Sequence, residues 1–321
     1  MTGHHPLSAD ANNKFEDLSG VTEVFPNPYD ALIEACQHDP LQIQARYALH
    51  RTARNEQQKA NLLSPSFKGL LTDGILQRLE DPTLEPGFVD PRHGIVFWAR
   101  PPPHIRCLIE QIQQRLKITA PNLWTMPIEC CHMTAMEICH SRTPEDVASL
   151  IAQMSPSIPA LTDCTYANRS RLIKPLVSYD GAAIALSFLP ASGEALSSGR
   201  SADDDKFTYH HLRRDMHAAS RETGVEIGTR YIVPSAHVTM GRFVTQVDHD
   251  TPDKMVLWIA EIEKINEWLV HEFWPQKDVT DELESIKEGG EWIVGQGVGL
   301  DCRTGALWYG GGRTVRLGKG F

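Results

Sequence analysis

No apolar run in this chain approaches the roughly 20 residues that a membrane-spanning helix needs, and the start, Met1-Thr-Gly-His-His-Pro, has no signal-peptide pattern. Nor is there a Cys-x-x-Cys pair. The seven cysteines fall at irregular spacing, an odd count that fits reduced thiols better than a disulfide framework. The expectation is a cytoplasmic or otherwise intracellular protein without membrane attachment. Positive charge is short as well. Lys and Arg number 31 against 41 Asp and Glu, a formal net charge of -10, which argues against coating long nucleic acid. One short nucleotide or an RNA end in a local basic pocket stays within reach. No Gly-x-Ser-x-Gly elbow is present, and Gly312 to Lys319 has neither P-loop spacing nor a Ser/Thr after its Lys.

What the chain does have is a tripeptide used twice in strand-like surroundings. Pro127-Ile-Glu-Cys-Cys-His-Met-Thr-Ala-Met136 and Pro234-Ser-Ala-His-Val-Thr-Met-Gly-Arg-Phe243 each carry His-x-Thr, at His132/Thr134 and His237/Thr239. Side chains in a strand alternate faces, so each His and its Thr project together while Met133 and Val238 turn into a core. Two imidazoles and two hydroxyls on one cleft can move protons and hold a phosphoryl group with no metal or cofactor. The same tripeptide at His50-Arg-Thr52 lies in a helix-type segment, where neighbours two apart diverge. At His249-Asp-Thr251 it lies in a polar loop.

The flanks repeat too. Thr143-Pro-Glu-Asp follows the first motif and Thr251-Pro-Asp-Lys the second, each a Thr N-cap, a Pro at the first helical position and acid in the first turn. A motif strand followed by a capped helix, twice, reads as an internal duplication.

The expected fold is therefore α+β, a duplicated two-lobed domain over residues 91–321, with each lobe a small antiparallel sheet backed by helices. The lobes would span about 91–180 and 181–321, with elements free to interchange, behind a helical N-terminal extension over 1–90. Leu41 to Leu63 is that extension's one long helical candidate, and the segment reads as decoration without catalytic residues. Strands are expected at His93 to Arg100, Leu161 to Tyr166, Arg171 to Tyr179 and Ala182 to Leu189, with a turn at Tyr179-Asp-Gly-Ala. A helix over Lys206 to Thr223 should end at Gly224 in a left-handed cap. Asp278 to Glu291 reads as an acidic surface connector, and a closing hairpin is expected around Cys302-Arg-Thr-Gly305.

Other residues have competing readings. Cys130 and Ser235 each stand two before a motif His, a separation too long in a strand for a good hydrogen bond; a small buried Cys is the favoured reading. Arg242 falls on the opposite face from His237 unless a bulge intervenes at Gly241, which leaves a structural ion pair and a phosphate contact both open. His210, His211 and His217 match no metal spacing and read as polar surface. Tyr231, Trp98, Phe243 and Trp308 are aromatics that could stack on a base, or be core.

Paired His-x-Thr motifs on equivalent strands of a duplicated lobe resemble the two-histidine (2H) phosphoesterase superfamily, which includes LigT-like RNA ligases and cyclic nucleotide phosphodiesterases. His237-Val-Thr-Met-Gly-Arg242 is similar to the second motif of LigT-like members, whereas Ala135 is smaller than the residue that usually follows the first. The resemblance covers roughly residues 91–321. It implies a cleft with one motif on each wall and metal-independent hydrolysis of a cyclic phosphodiester on a nucleotide or RNA end. One His would act as base and the other as acid, protonated in the free enzyme, with activity centred near neutral pH. The alternatives are an RNA-end or nucleotide-binding module, and a small-molecule tailoring enzyme using the same His pair.

Overall fold

A computed structural model describes residues 16–196, 199–229, 231–277 and 284–321. The N-terminal extension contributes α1 (Asp30–Ala35), α2 (Pro40–Leu62) and α3 (Gly74–Glu80). Then follow β1 (His93–Ala99), α4 (Pro103–Thr119), β2 (Trp124–Thr125), β3 (Met133–Arg142), α5 (Pro144–Met154) and α6 (Ile158–Ala167). The second stretch runs β4 (Arg171–Tyr179), β5 (Ala183–Pro190), α7 (Tyr209–Glu222), β6 (Ala236–Arg242) and α8 (Pro252–Phe273). A short hairpin of β7 (Gln276–Lys277) and β8 (Glu284–Ser285) precedes β9 (Glu291–Ile293), β10 (Val298–Ala306) and β11 (Arg313–Lys319). Residues 1–15 and 278–283, the latter within the expected acidic connector, lie outside the described residues. Among the described residues no helix is long and apolar enough to cross a membrane. All seven cysteines are free.

The protein is α+β, with its main sheet antiparallel and curled into a half-barrel. The strand order is β11-β10-β1-β3-β6-β5-β4-β9, with β2 also paired to β6. The expectation of a separate small sheet in each lobe is corrected: apart from the β7–β8 hairpin, the strands form one nine-stranded sheet, whose main path has four strands on either side of the β3–β6 join. The boundary near residue 180 does not divide it, since β4 sits beside β5 while β10 and β11 return to β1. Alternation sets the two faces. Ile95, Phe97, Met133, Ala135, Ala236, Val238 and Met240 enter the main core, whereas Val96 and Trp98 join Leu307 in a small cluster apart from it.

The caps formed as read. The Thr143 hydroxyl accepts from Asp146 N and the Thr251 hydroxyl from Lys254 N, each contributing about 1 kcal/mol to its helix. Gly224 ends α7's turn at φ +79°. Three local readings are overturned. Leu161 to Tyr166 is helical, part of α6, which buries Ile158, Leu161, Thr162 and Thr165 at helical spacing. Cys302 to Gly305 lies inside β10, and the chain reverses later, through a stretch where Gly310 and Gly312 have φ of +79° and +75°. His210, His211 and His217 are buried rather than on the surface, because α7 packs this face on α1 and α2. There His210 lies between Tyr47 Oη at 2.9 Å and the Tyr29 carbonyl at 3.0 Å.

Candidate active site

At the join of the sheet, Met133 pairs with Val238 in antiparallel register. That pair stands at the centre of both motifs and so brings them together at the join. His132, Thr134, His237 and Thr239 line one cleft with an empty volume of about 630 Å³, and Tyr231, Arg242 and Trp98 line it too. Thr134 and His237 owe their common side to strand parity, and Ala135 and Val238 face the core behind them.

His132 precedes β3 rather than lying within it, since Ile128–Cys130 forms a 3-10 turn where strand was expected. That turn brings the Cys130 carbonyl to 2.8 Å from His132 Nδ1. Cys130 itself is half-buried, and its thiol lies in the turn rather than on a strand face. The His132 ring stacks on Trp98 with centroids 3.7 Å apart and planes at 18°. Trp98 is buried, and the Arg100 and Arg303 guanidiniums lie 4.8 and 5.1 Å from its centroid. It is thus a platform for the imidazole, not a free face for a base.

Around His237 the surroundings differ. The Ser235 hydroxyl lies 2.9 Å from His237 Nδ1, against the expectation that the two would be too far apart. Residues 233–235 bend before β6 begins, so the extended spacing does not apply. Tyr231 is half-buried with its ring 6.1 Å from the imidazole. The bulge that Arg242 needed is present: the β5–β6 register shifts between the Ile184–Gly241 and Ala185–Thr239 pairs. The extra residue returns Arg242 to the cleft, where it also pairs with Asp73 at 3.6 Å. Phe243 is core and Trp308 lines the cleft beneath Arg92.

Both imidazoles are harder to protonate than a free His. Burial is the main cause for each. It pushes His132 down to about 3, helped by the positive charges of Arg100 and Arg303 and opposed by the Cys130 carbonyl. It pushes His237 down to about 4, helped by Arg213 and Arg54 and opposed by Asp180. Both shifts favour the neutral imidazole at neutral pH, against the expectation of one protonated imidazole. Among the described residues no three His, Cys, Asp or Glu side chains group as metal ligands do.

The sequence reading missed the part played by α2. A second cavity shares Tyr231, His237, Thr239 and Arg242 with the cleft and continues to Tyr47, His50, Arg51 and Arg54. The segment read as decoration thus forms a wall beside His237. A signal was present: His50 and Arg51 follow Ile43 and Tyr47 at helical steps, which puts polar groups on the buried face.

A scan against protein-family models and a search of curated proteins return no match. Solved structures that are similar include TT0787 of Thermus thermophilus, at 12% identity and TM-score 0.39, covering 70% of this chain and 96% of that one. Another is the conserved protein of unknown function ATU0111 from Agrobacterium tumefaciens, at 18% identity and TM-score 0.39, covering 58% and 76%.

Proposed function

We propose that this protein is a metal-independent phosphodiesterase that opens cyclic phosphodiesters, on a 2′,3′-cyclic nucleotide or an RNA end, as a 2H phosphoesterase. The observation that carries the reading is the convergence of both His-x-Thr pairs, with Tyr231 and Arg242, on one cleft. The four-and-four strand order about the motif join supports it.

The hydrogen bonds favour one division of roles. A carbonyl only accepts, so neutral His132 carries its proton on Nδ1 toward Cys130 and its lone pair on Nε2. His132 is then the base, taking a proton from the attacking water. The Ser235 hydroxyl can accept from or donate to Nδ1, so His237 keeps its partner in either protonation state. An entering diester anion favours imidazolium, and His237, whose hydroxyl partner can turn to accept from it, takes up that proton. Water oxygen bonds to phosphorus, the bond to one ring oxygen breaks, and that oxygen leaves with the His237 proton. Thr134 and Thr239 donate to the non-bridging oxygens as charge builds there.

The purified protein should open a 2′,3′-cyclic nucleotide in excess EDTA, and His132→Ala or His237→Ala should each abolish turnover. Full activity in either variant would sink the assignment. Calorimetric binding without product from a panel of cyclic and linear diesters would favour a binding module instead.

A further inference from the structure

Arg51 is hard to explain as a structural residue. It is only 7% exposed, yet among the described residues it has no carboxylate partner. Its one hydrogen bond runs from Nη1 to the Lys174 carbonyl at 2.7 Å, and Nε is buried with no partner. The guanidinium also lies 5.5 Å from the Trp274 ring centroid. Burial without an opposing carboxylate pulls its pKa down to about 9. A buried cation that lacks a counter-ion is costly, so folds normally pair one.

The neighbouring arginines are paired with carboxylates, which isolates Arg51. Arg54 reaches Asp180 at 2.8 Å, and Arg242 has Asp73 at 3.6 Å. Glu16, also on the cavity wall, is tied to Gln57 at 3.2 Å. The cavity that Arg51 lines opens beside His237, whose ring feels the charge of Arg54.

We propose that α2 builds an anion subsite around Arg51, so that the ligand carries a second phosphate beyond the diester held between His132 and His237. This rests on the phosphodiesterase reading for the first phosphate, but the subsite itself does not require turnover. The substrate class is then an oligonucleotide end with at least one further phosphate, rather than a lone cyclic mononucleotide. An arginine fork suits a phosphate because two parallel N–H groups can meet two oxygens.

The experiment compares two ligands, a 2′,3′-cyclic mononucleotide and a 5′-phosphorylated dinucleotide ending in the same cyclic phosphate. Binding is measured by calorimetry at low temperature, and turnover separately. The wild type should favour the dinucleotide by about tenfold or more, and the preference should shrink as salt rises. Arg51→Gln should collapse the ratio toward one, and Arg51→Lys should keep part of it. If Arg51→Gln does not fold, the wild-type preference and its competition by inorganic pyrophosphate still decide the matter. No wild-type preference, or equal loss of both ligands in a folded Arg51→Gln, would overturn the subsite and leave the chemistry standing. Preference in binding with no turnover of either ligand would defeat the phosphodiesterase reading and leave the subsite.

Discussion

His132 lies flat on a buried tryptophan with Nδ1 fixed by a backbone carbonyl, whereas His237 leans on a rotatable hydroxyl and opens toward the α2 cavity. The two tripeptides differ only at the middle residue. What separates them is the chain just before each strand: a 3-10 turn ahead of one, a bend ahead of the other. A fixed tautomer suits a base. An adaptable partner suits a group that must take up and release a proton. Similar local patterns therefore need not carry the same chemical role, because the second ring nitrogen is set by its partner.

The largest effect expected from breaking this asymmetry comes with the leaving group. His132→Gln and His237→Gln should each lower kcat on a cyclic nucleotide by about 10²–10⁴-fold. On a diester with a p-nitrophenolate leaving group, which departs without a proton, His237→Gln should recover most of its activity and His132→Gln should not. Recovery in the opposite variant would exchange the roles, and recovery in neither would remove the acid–base pairing.

The pH profile sharpens the same comparison. Free-protein values near 3 and 4 put the singly protonated pair at acid pH, so kcat/KM should fall with pH above about 4. A bound anion raises the His237 value, so the alkaline limb of kcat should lie at higher pH than that of kcat/KM. The bell centred on neutrality that two ordinary imidazoles imply is replaced. A kcat/KM limb at or above the ordinary His value of about 6.5 would contradict the buried setting. Stability limits the acid side. His211 and His249 are also held near 4 by burial, so the unfolded chain binds more protons below about 6.5. Melting temperature should therefore drop as pH falls from there toward 4.

The smallest effects test the supports. Ser235→Ala removes one hydrogen bond and should cost about 1 kcal/mol of transition-state stabilisation, roughly fivefold in kcat. Trp98→Phe keeps an aromatic under His132 but loosens the stack, and should cost about tenfold through misplacement of the base. A larger loss at Ser235 than at Trp98 would mean that the pinned ring is not the more demanding one.

Much of the scaffold was legible because its causes are local. β1, β4, the hairpin at Asp180, both Thr-Pro caps and the glycine end of α7 follow from alternation, turn chemistry and capping, which act within a few residues. The failures had distant causes. Leu161 to Tyr166 carries strand-type residues, but packing on β10 and β11 made them a helical face. Cys302 to Gly305 looks like a turn, yet pairing with β1 and β11 holds it extended. Gly310 supplies part of the later reversal, where a side chain would collide with Cys130.

The sequence by itself determined that His237 and Thr239 share one face, because strand geometry has period two, and that His132 belongs to the motif of the strand residue Thr134. Tertiary structure alone decided that the two motifs meet, through the single Met133–Val238 join, and that a bulge returns Arg242 to them. It also decided that burial shifts both imidazoles toward the neutral form, that His210 and His211 are core, and that an N-terminal helix walls the cavity beside His237. The physical reason is range. Dihedral preference and alternation act between neighbours, whereas desolvation, ion pairing and cavity shape depend on residues far apart in the chain, as with Arg51 and the Lys174 carbonyl at a separation of 123.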